Sequence, residues 1–173
     1  MVLTPGGRDQ VLRSRPLVER SASHGVRAVV APERRCQQTA QLLGMSEDQW
    51  SIEPRIRAQD WGPLAFPGAR ELLAGSNRWP TGLDDRFEGG ETAREVWARC
   101  REVAPELKAK STERGVLVVV THGVVIRLLL AHWLGWPDDR VEQEPSVATG
   151  SVLAVRWTDE QVMSYTNLSE ASQ

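Results

Sequence analysis

Cysteine, tyrosine, phenylalanine and histidine are scarce in this chain of 173 residues, which has two, one, two and three of them. Two cysteines, Cys36 and Cys100, exclude a disulfide framework. Among the Cys and His residues no metal-ligand spacing occurs, so no metal and no cofactor is expected. Both cysteines fall on apolar faces of predicted helices and read as small core residues. A charge excess of one sign is also missing: 21 Lys and Arg against 23 Asp and Glu leave a formal net charge of -2. That excludes the basic footprint of a nucleic-acid partner. The early arginines (Arg8, Arg13, Arg15, Arg20, Arg27) read as a solvated helix face. No apolar run is long enough to span a bilayer, and the Met1 end lacks a charged segment followed by an apolar one. The expectation is therefore a cytoplasmic protein without a membrane partner. Repeats and low-complexity linkers are absent too, so 1–173 reads as a single domain with a real core.

What the chain does have is a continuous apolar run at 116–120 that ends in Thr121-His122-Gly123, followed by a second apolar segment at 124–134. The first run reads as a strand buried on both faces, the second as a buried helix. A titratable side chain at such a strand-to-helix switch lies where open α/β sheets bind ligands. The bland alternative for His122 is a core histidine with one backbone bond.

A similar switch occurs earlier. Residues 26–31 read as a short buried strand, and Pro32-Glu33-Arg34-Arg35-Cys36 opens a helix that runs to Leu43. Pro32 suits the first turn, where its missing N–H is no loss. Arg34 and Arg35 also fall in that turn, where free N–H groups and the dipole favour an anion. A guanidinium there can clamp two phosphate oxygens at once, although an arginine pair is more often a solvated face.

Around these switches the pattern is α/β. Thr4 and Pro5 start a helix that Pro16 should kink or end. Residues 50–88 are rich in Pro, Gly and Trp and read as an irregular lid or binding insertion, with a short helical candidate at 69–73. In that insertion Trp61, Phe66, Arg78 and Trp79 either meet a substrate or pack a satellite core. Thr92-Ala93-Arg94-Glu95 has capping-box spacing. Val96, Cys100, Val103 and Leu107 mark the buried face of the helix it opens, with a kink expected near Pro105. Glu91 can be a simple favourable charge at that N-terminus. His132 reads as a packing residue, and His24-Gly25 as a helix C-terminus. Two strands, 150–157 and 161–165, close the chain around a turn at 158–160.

Taken in order, four motifs resemble the histidine phosphatase superfamily, also called phosphoglycerate mutase-like. Residues 31–40 resemble its S-P-x-x-R-[AC]-x-Q-T-A pattern, with Ala31 in place of serine. Thr121-His122-Gly123 resembles the late S/T-H-G, Gly90-Glu91-Thr92 the middle G-E-[ST], and residues 3–10 the early L-T-P-x-G-x-x-Q. The resemblance covers nearly the whole chain. It implies a three-layer α/β fold with a mostly parallel sheet and phosphoryl transfer through a phosphohistidine. It also implies that Arg35, His122 and Gly123 bind the phosphoryl group of a small phosphorylated molecule, with Arg35 and His122 in the catalytic set.

Two departures accompany the resemblance. The family's first central strand, ending in R-H-G with the nucleophilic histidine, has no counterpart in this sequence; Ser23-His24-Gly25 lies after the first helix and is no substitute. In the family that strand lies beside the one ending at His122, so an unpaired apolar edge and a homo-oligomer or aggregation through it are expected. The family's acidic segment L-x-E-x-x-[FYW]-G is matched by residues 56–62 with Ala58 at the glutamate, which leaves no proton donor there. Asp60, two residues on, is either a replacement acid or an ordinary turn aspartate. Three readings stay open. One is an active phosphomonoesterase whose reading frame extends upstream of Met1. The second is a pseudoenzyme that binds a phosphorylated ligand or a protein. The third is the same fold turned to non-phosphate chemistry.

Overall fold

The apolar runs at 26–31 and 116–120 become neighbouring strands of one parallel sheet. Strand β1 is Arg27–Val30, and it pairs residue for residue with Leu117–Val120, from Arg27 opposite Leu117 to Val30 opposite Val120. On its other side β1 pairs, again in parallel, with Trp50–Ile52. Numbered along the chain these are β1, β2 (Trp50–Ile52) and β3 (Leu117–Val120), in the spatial order β2-β1-β3. Successive strand residues point to opposite faces, and Ala28, Val29 and Val30 are all buried, so β1 is covered on both sides as a central parallel strand must be. The computed structural model describes residues 1–21, 26–64, 82–114, 116–144, 147–158 and 161–168. His24-Gly25, Phe66, Arg78, Trp79, the helix expected at 69–73 and the turn residues Asp159 and Glu160 lie outside them.

Helix α1 (Pro5–Ser21) runs through Pro16 and does not end there. Buried Val11 and Val18 flank the proline and hold the helix against the core on both sides of it. Helix α2 (Arg34–Leu42) starts one residue after its cap, Glu33, so Pro32 precedes the cap and does not occupy the first turn. Its buried face carries Cys36 and Ala40, as the spacing predicts. Helix α3 (Ala93–Arg114) opens on the predicted capping box. The Thr92 N–H donates to the Glu95 carboxylate (2.8 Å), and the Glu95 N–H donates to Thr92 Oγ1 (3.0 Å). Val96, Cys100, Val103 and Leu107 are buried along it, and it continues nine residues beyond Pro105. Helix α4 (Gly123–Leu134) follows β3 directly and buries Val125 and the block Leu128–Ala131. A short α5 (Asp138–Gln143) comes next. The antiparallel pair β4 (Leu153–Thr158) and β5 (Gln161–Asn167) starts and ends later than the sequence pattern suggests.

Two expectations need correction. The irregular stretch predicted from residue 50 begins with β2, whose three residues are too few and too mixed to read as a strand. Among the described residues the part from 53 to 64 fits, with single turns of 3-10 helix at Pro54–Ile56 and Gly62–Leu64. There Trp61 packs on Phe87 with ring centres 5.8 Å apart. Strand β3, predicted as buried on both faces, has only Val120 buried, while Leu117, Val118 and Val119 are partly exposed. The reason is position in the sheet: among the described residues β3 pairs with β1 alone, so it is an edge.

Candidate functional site

Because β1 and β3 run side by side in register, the segments that leave their carboxyl ends leave together. The Ala31 N–H still donates to the Val120 carbonyl (2.9 Å), which carries the pairing one step beyond β1. After it the first turn of α2 and the entry to α4 face each other. The cap of α4 is His122, in extended conformation, and no side-chain bond closes its own helix end. Its imidazole is turned to α2 instead.

Three side chains from the cap and first turn of α2 meet that ring. Arg35 Nη2 lies 3.3 Å from His122 Nδ1, and Glu33 Oε2 lies 2.9 Å from His122 Nε2. A guanidinium has only donors, so Nδ1 must accept. The ring proton is then on Nε2 and is donated to Glu33. Burial holds the imidazole below its usual pKa, the Glu33 bond opposes this and the Arg35 charge adds to it, with a net lowering. His122 is thus neutral near pH 7, with its tautomer set by Glu33. Burial pushes the Glu33 carboxyl up, but the His122 bond and the Ala58 N–H, which donates to Glu33 Oε1 at 2.8 Å, outweigh it, and the net direction is down. The third side chain, Cys36, puts Sγ 3.5 Å from Nε2. Its thiol is pushed up to about 12, first by burial and then by the Glu33 charge, and so stays protonated. A carboxylate oxygen of Glu33, Sγ of Cys36 and a ring nitrogen of His122 all lie within 4.8 Å of one another.

Of the two arginines, only Arg35 reaches His122; Arg34 is exposed. That is the arginine the motif alignment selects. Gly123 is required where it stands, since a Cβ there would collide with the Val147 carbonyl oxygen. Its N–H belongs to the first turn of α4, whose donors have no intrahelical partner. Thr121 anchors the motif by donating its hydroxyl to the Ile56 carbonyl (2.6 Å).

The 56–62 frame is held by a second cluster. Glu91 accepts two bonds from Arg57 (2.6 and 2.7 Å) and one from the Asp60 N–H (2.9 Å), and Arg99 approaches to 3.4 Å. Burial pushes the Glu91 carboxyl up, yet the Arg57 bonds, the Asp60 N–H and Arg99 bring it down to about 2. Glu91 is therefore far more than a charge at a helix N-terminus. The carboxylate of Asp60 accepts the Gly62 N–H through Oδ1 (2.8 Å), a local turn bond, and no described contact joins it to His122. The Glu33 role was missed in sequence. Its only signal was the i, i+3 spacing to Cys36 at a helix start, which acquires meaning only when β3 delivers His122 beside it.

Comparison with known proteins gives the family and the fold. A model of the histidine phosphatase superfamily (branch 1) matches residues 1–167. A broad-range acid phosphatase of Saccharomyces cerevisiae is 29% identical over 119 residues, 65% of this chain but only 35% of the yeast protein. The chain thus spans about a third of the length of that curated relative. Among solved structures, a mycobacterial glucosyl-3-phosphoglycerate phosphatase superposes with a TM-score of 0.74 at 22% identity, covering 96% of this chain and 86% of the other. The product of an open reading frame of Mycobacterium tuberculosis superposes at 0.76 and 18% identity, covering 94% and 81%. At such identities the structures establish a shared fold.

Proposed function

The chain belongs to the histidine phosphatase superfamily, and from that premise we propose that the corner built by Arg35, His122 and Gly123 binds the phosphate group of a small phosphate ester. The observation that carries the reading is Arg35. Its guanidinium makes one hydrogen bond among the described residues, to a neutral ring, and has no carboxylate partner. An unneutralised guanidinium in the first turn of a helix, beside the first-turn N–H groups of another, is a site with spare donors and positive potential. The relatives named above are phosphatases, which supports a phosphomonoester as the ligand class.

Turnover of such an ester by these 173 residues should be slight. Position 58 holds alanine, and the nearest carboxylates are committed: Glu91 to Arg57 and Arg99, Glu33 to His122. Asp60 is the candidate proton donor, with one oxygen held in its turn. The same alanine favours a second reading, a pseudoenzyme that binds a phosphorylated ligand without turning it over. Its phosphorylated ligand would enter the same corner.

Thermal unfolding with added phosphate or vanadate tests the binding step, because a ligand of the folded state alone raises the melting temperature. The shift should vanish in Arg35→Ala and persist largely in Arg34→Ala. Equal losses in the two variants would mean a diffuse basic surface and no pocket. Aryl phosphate hydrolysis separates the two readings, since measurable turnover that requires His122 excludes the pseudoenzyme.

A further inference from the structure

We propose that Glu33, Cys36 and His122 form a three-ligand site for a borderline-soft divalent cation, zinc being the best match. The donor set is one carboxylate oxygen, one sulfur and one imidazole nitrogen, all ordinary zinc ligands. They come from two chain segments, the cap and first turn of α2 and the end of β3, each fixed by the sheet pairing of β1 with β3. Tetrahedral zinc with ordinary bond lengths requires S···N, N···O and S···O separations of roughly 3.4 to 3.6 Å. Cys36 Sγ and His122 Nε2 are already 3.5 Å apart. Glu33 Oε2 and Nε2, now joined by a hydrogen bond of 2.9 Å, need to part by only about half an ångström once the ion replaces the shared proton.

The neighbouring charges fit such an ion. Coordination removes the thiol proton, so carboxylate and thiolate together balance the two positive charges, and Arg35 retains its own for an anion. Binding through Nε2 moves the ring proton to Nδ1, which then no longer accepts from Arg35 and releases the guanidinium. With three protein ligands the fourth position is left to water, the pattern of an open site and not of a closed structural one. The proposal does not depend on phosphate binding, because every ligand belongs to the chain.

The experiment uses the whole chain, freed of metal and titrated with Zn2+ in equilibrium dialysis and with Co2+ under visible and near-ultraviolet absorption. The expected result is one equivalent bound with a cobalt–thiolate charge-transfer band. That band should disappear in Cys36→Ala and remain in Cys100→Ala, and Zn2+ affinity should fall at least about tenfold in Glu33→Gln. A band that survives Cys36→Ala, or one absent from the wild type, overturns the proposal. X-ray absorption on the zinc-loaded wild type needs no variant and so is safe from misfolding. One sulfur at about 2.3 Å supports the site, and a shell of nitrogen and oxygen alone overturns it.

Discussion

Two charged clusters lie close together in this molecule, and they differ in how far their members are satisfied. At the Glu91 cluster, one carboxylate accepts from two arginines and a backbone N–H, and Arg99 also donates to the Arg55 and Ala58 carbonyls. Both oxygens of that carboxylate are engaged. At the His122 corner, among the described residues, Arg35 has one bond, to a neutral acceptor, Cys36 has a protonated thiol, and the cap of α4 closes no side-chain bond to its own first-turn donors. Both corners rest on motifs of the same family, G-E-T for one and T-H-G for the other. A saturated cluster fixes the 56–62 segment against α3. An unsaturated one, with donors aimed at a common point, holds what binding requires.

This contrast would break first at Glu91. Glu91→Ala leaves Arg99, only 12% exposed, without its carboxylate, and a loss of about 2–4 kcal/mol is expected in urea unfolding. The half-exposed Arg57 is rehydrated and adds little. If Glu91 is purely scaffold, the phosphate affinity of the surviving folded fraction should be unchanged. A large loss of affinity at full stability would move Glu91 into the binding site.

Acid sharpens the same point. The Glu91 carboxyl lies near 2 in the folded chain against an ordinary 4.5, so its stabilisation is complete above 4.5 and is lost as pH falls toward 2. His122 acts in the same direction at higher pH. Its folded pKa is depressed below the ordinary 6.5, so the unfolded chain takes the proton first and stability declines as pH drops below that value. Replacing Glu91 by Gln should flatten the steep lower leg and leave the upper one; an unaltered lower leg would refute the assignment.

A smaller effect is expected from Glu33→Gln. Glutamine can still accept from the ring, so stability should change by less than about 1 kcal/mol. The His122 pKa should fall further, because the carboxylate that opposes the lowering is gone. An NMR titration of the ring reads this directly, and a rise would contradict the pairing. Smallest of all is Asp60→Asn, since asparagine keeps the turn bond to the Gly62 N–H; about 0.5 kcal/mol or less is expected. If any phosphatase turnover disappears in that variant while stability holds, Asp60 is the proton donor.

Much of this is legible in the sequence. Apolar runs gave β1 and β3, helical spacing gave the buried faces of α2 and α3, and the capping box at Thr92 was readable letter by letter, because each depends on near neighbours in the chain. The order of four short motifs gave the family and chose Arg35 over Arg34. What stayed hidden was everything made by contacts across dozens of residues. β2 has too few residues to show a period and exists because β1 offers it an edge. Pro16 was expected to kink or end α1, yet the helix continues, since burial of Val11 and Val18 on either side offsets the lost bond. The exposure of β3 follows from its having one partner among the described residues, an edge that the apolar run alone did not show and that only the missing R-H-G strand led us to expect. Glu33 gives the plainest case. As a letter it was a variable position in a motif, and it became the partner of His122 only because parallel register brings residues 33 and 122 together, 89 positions apart. Sequence determined which side chains stand at the ends of strands, since that is local stereochemistry and burial; only the tertiary structure decided which of them meet, since that depends on register.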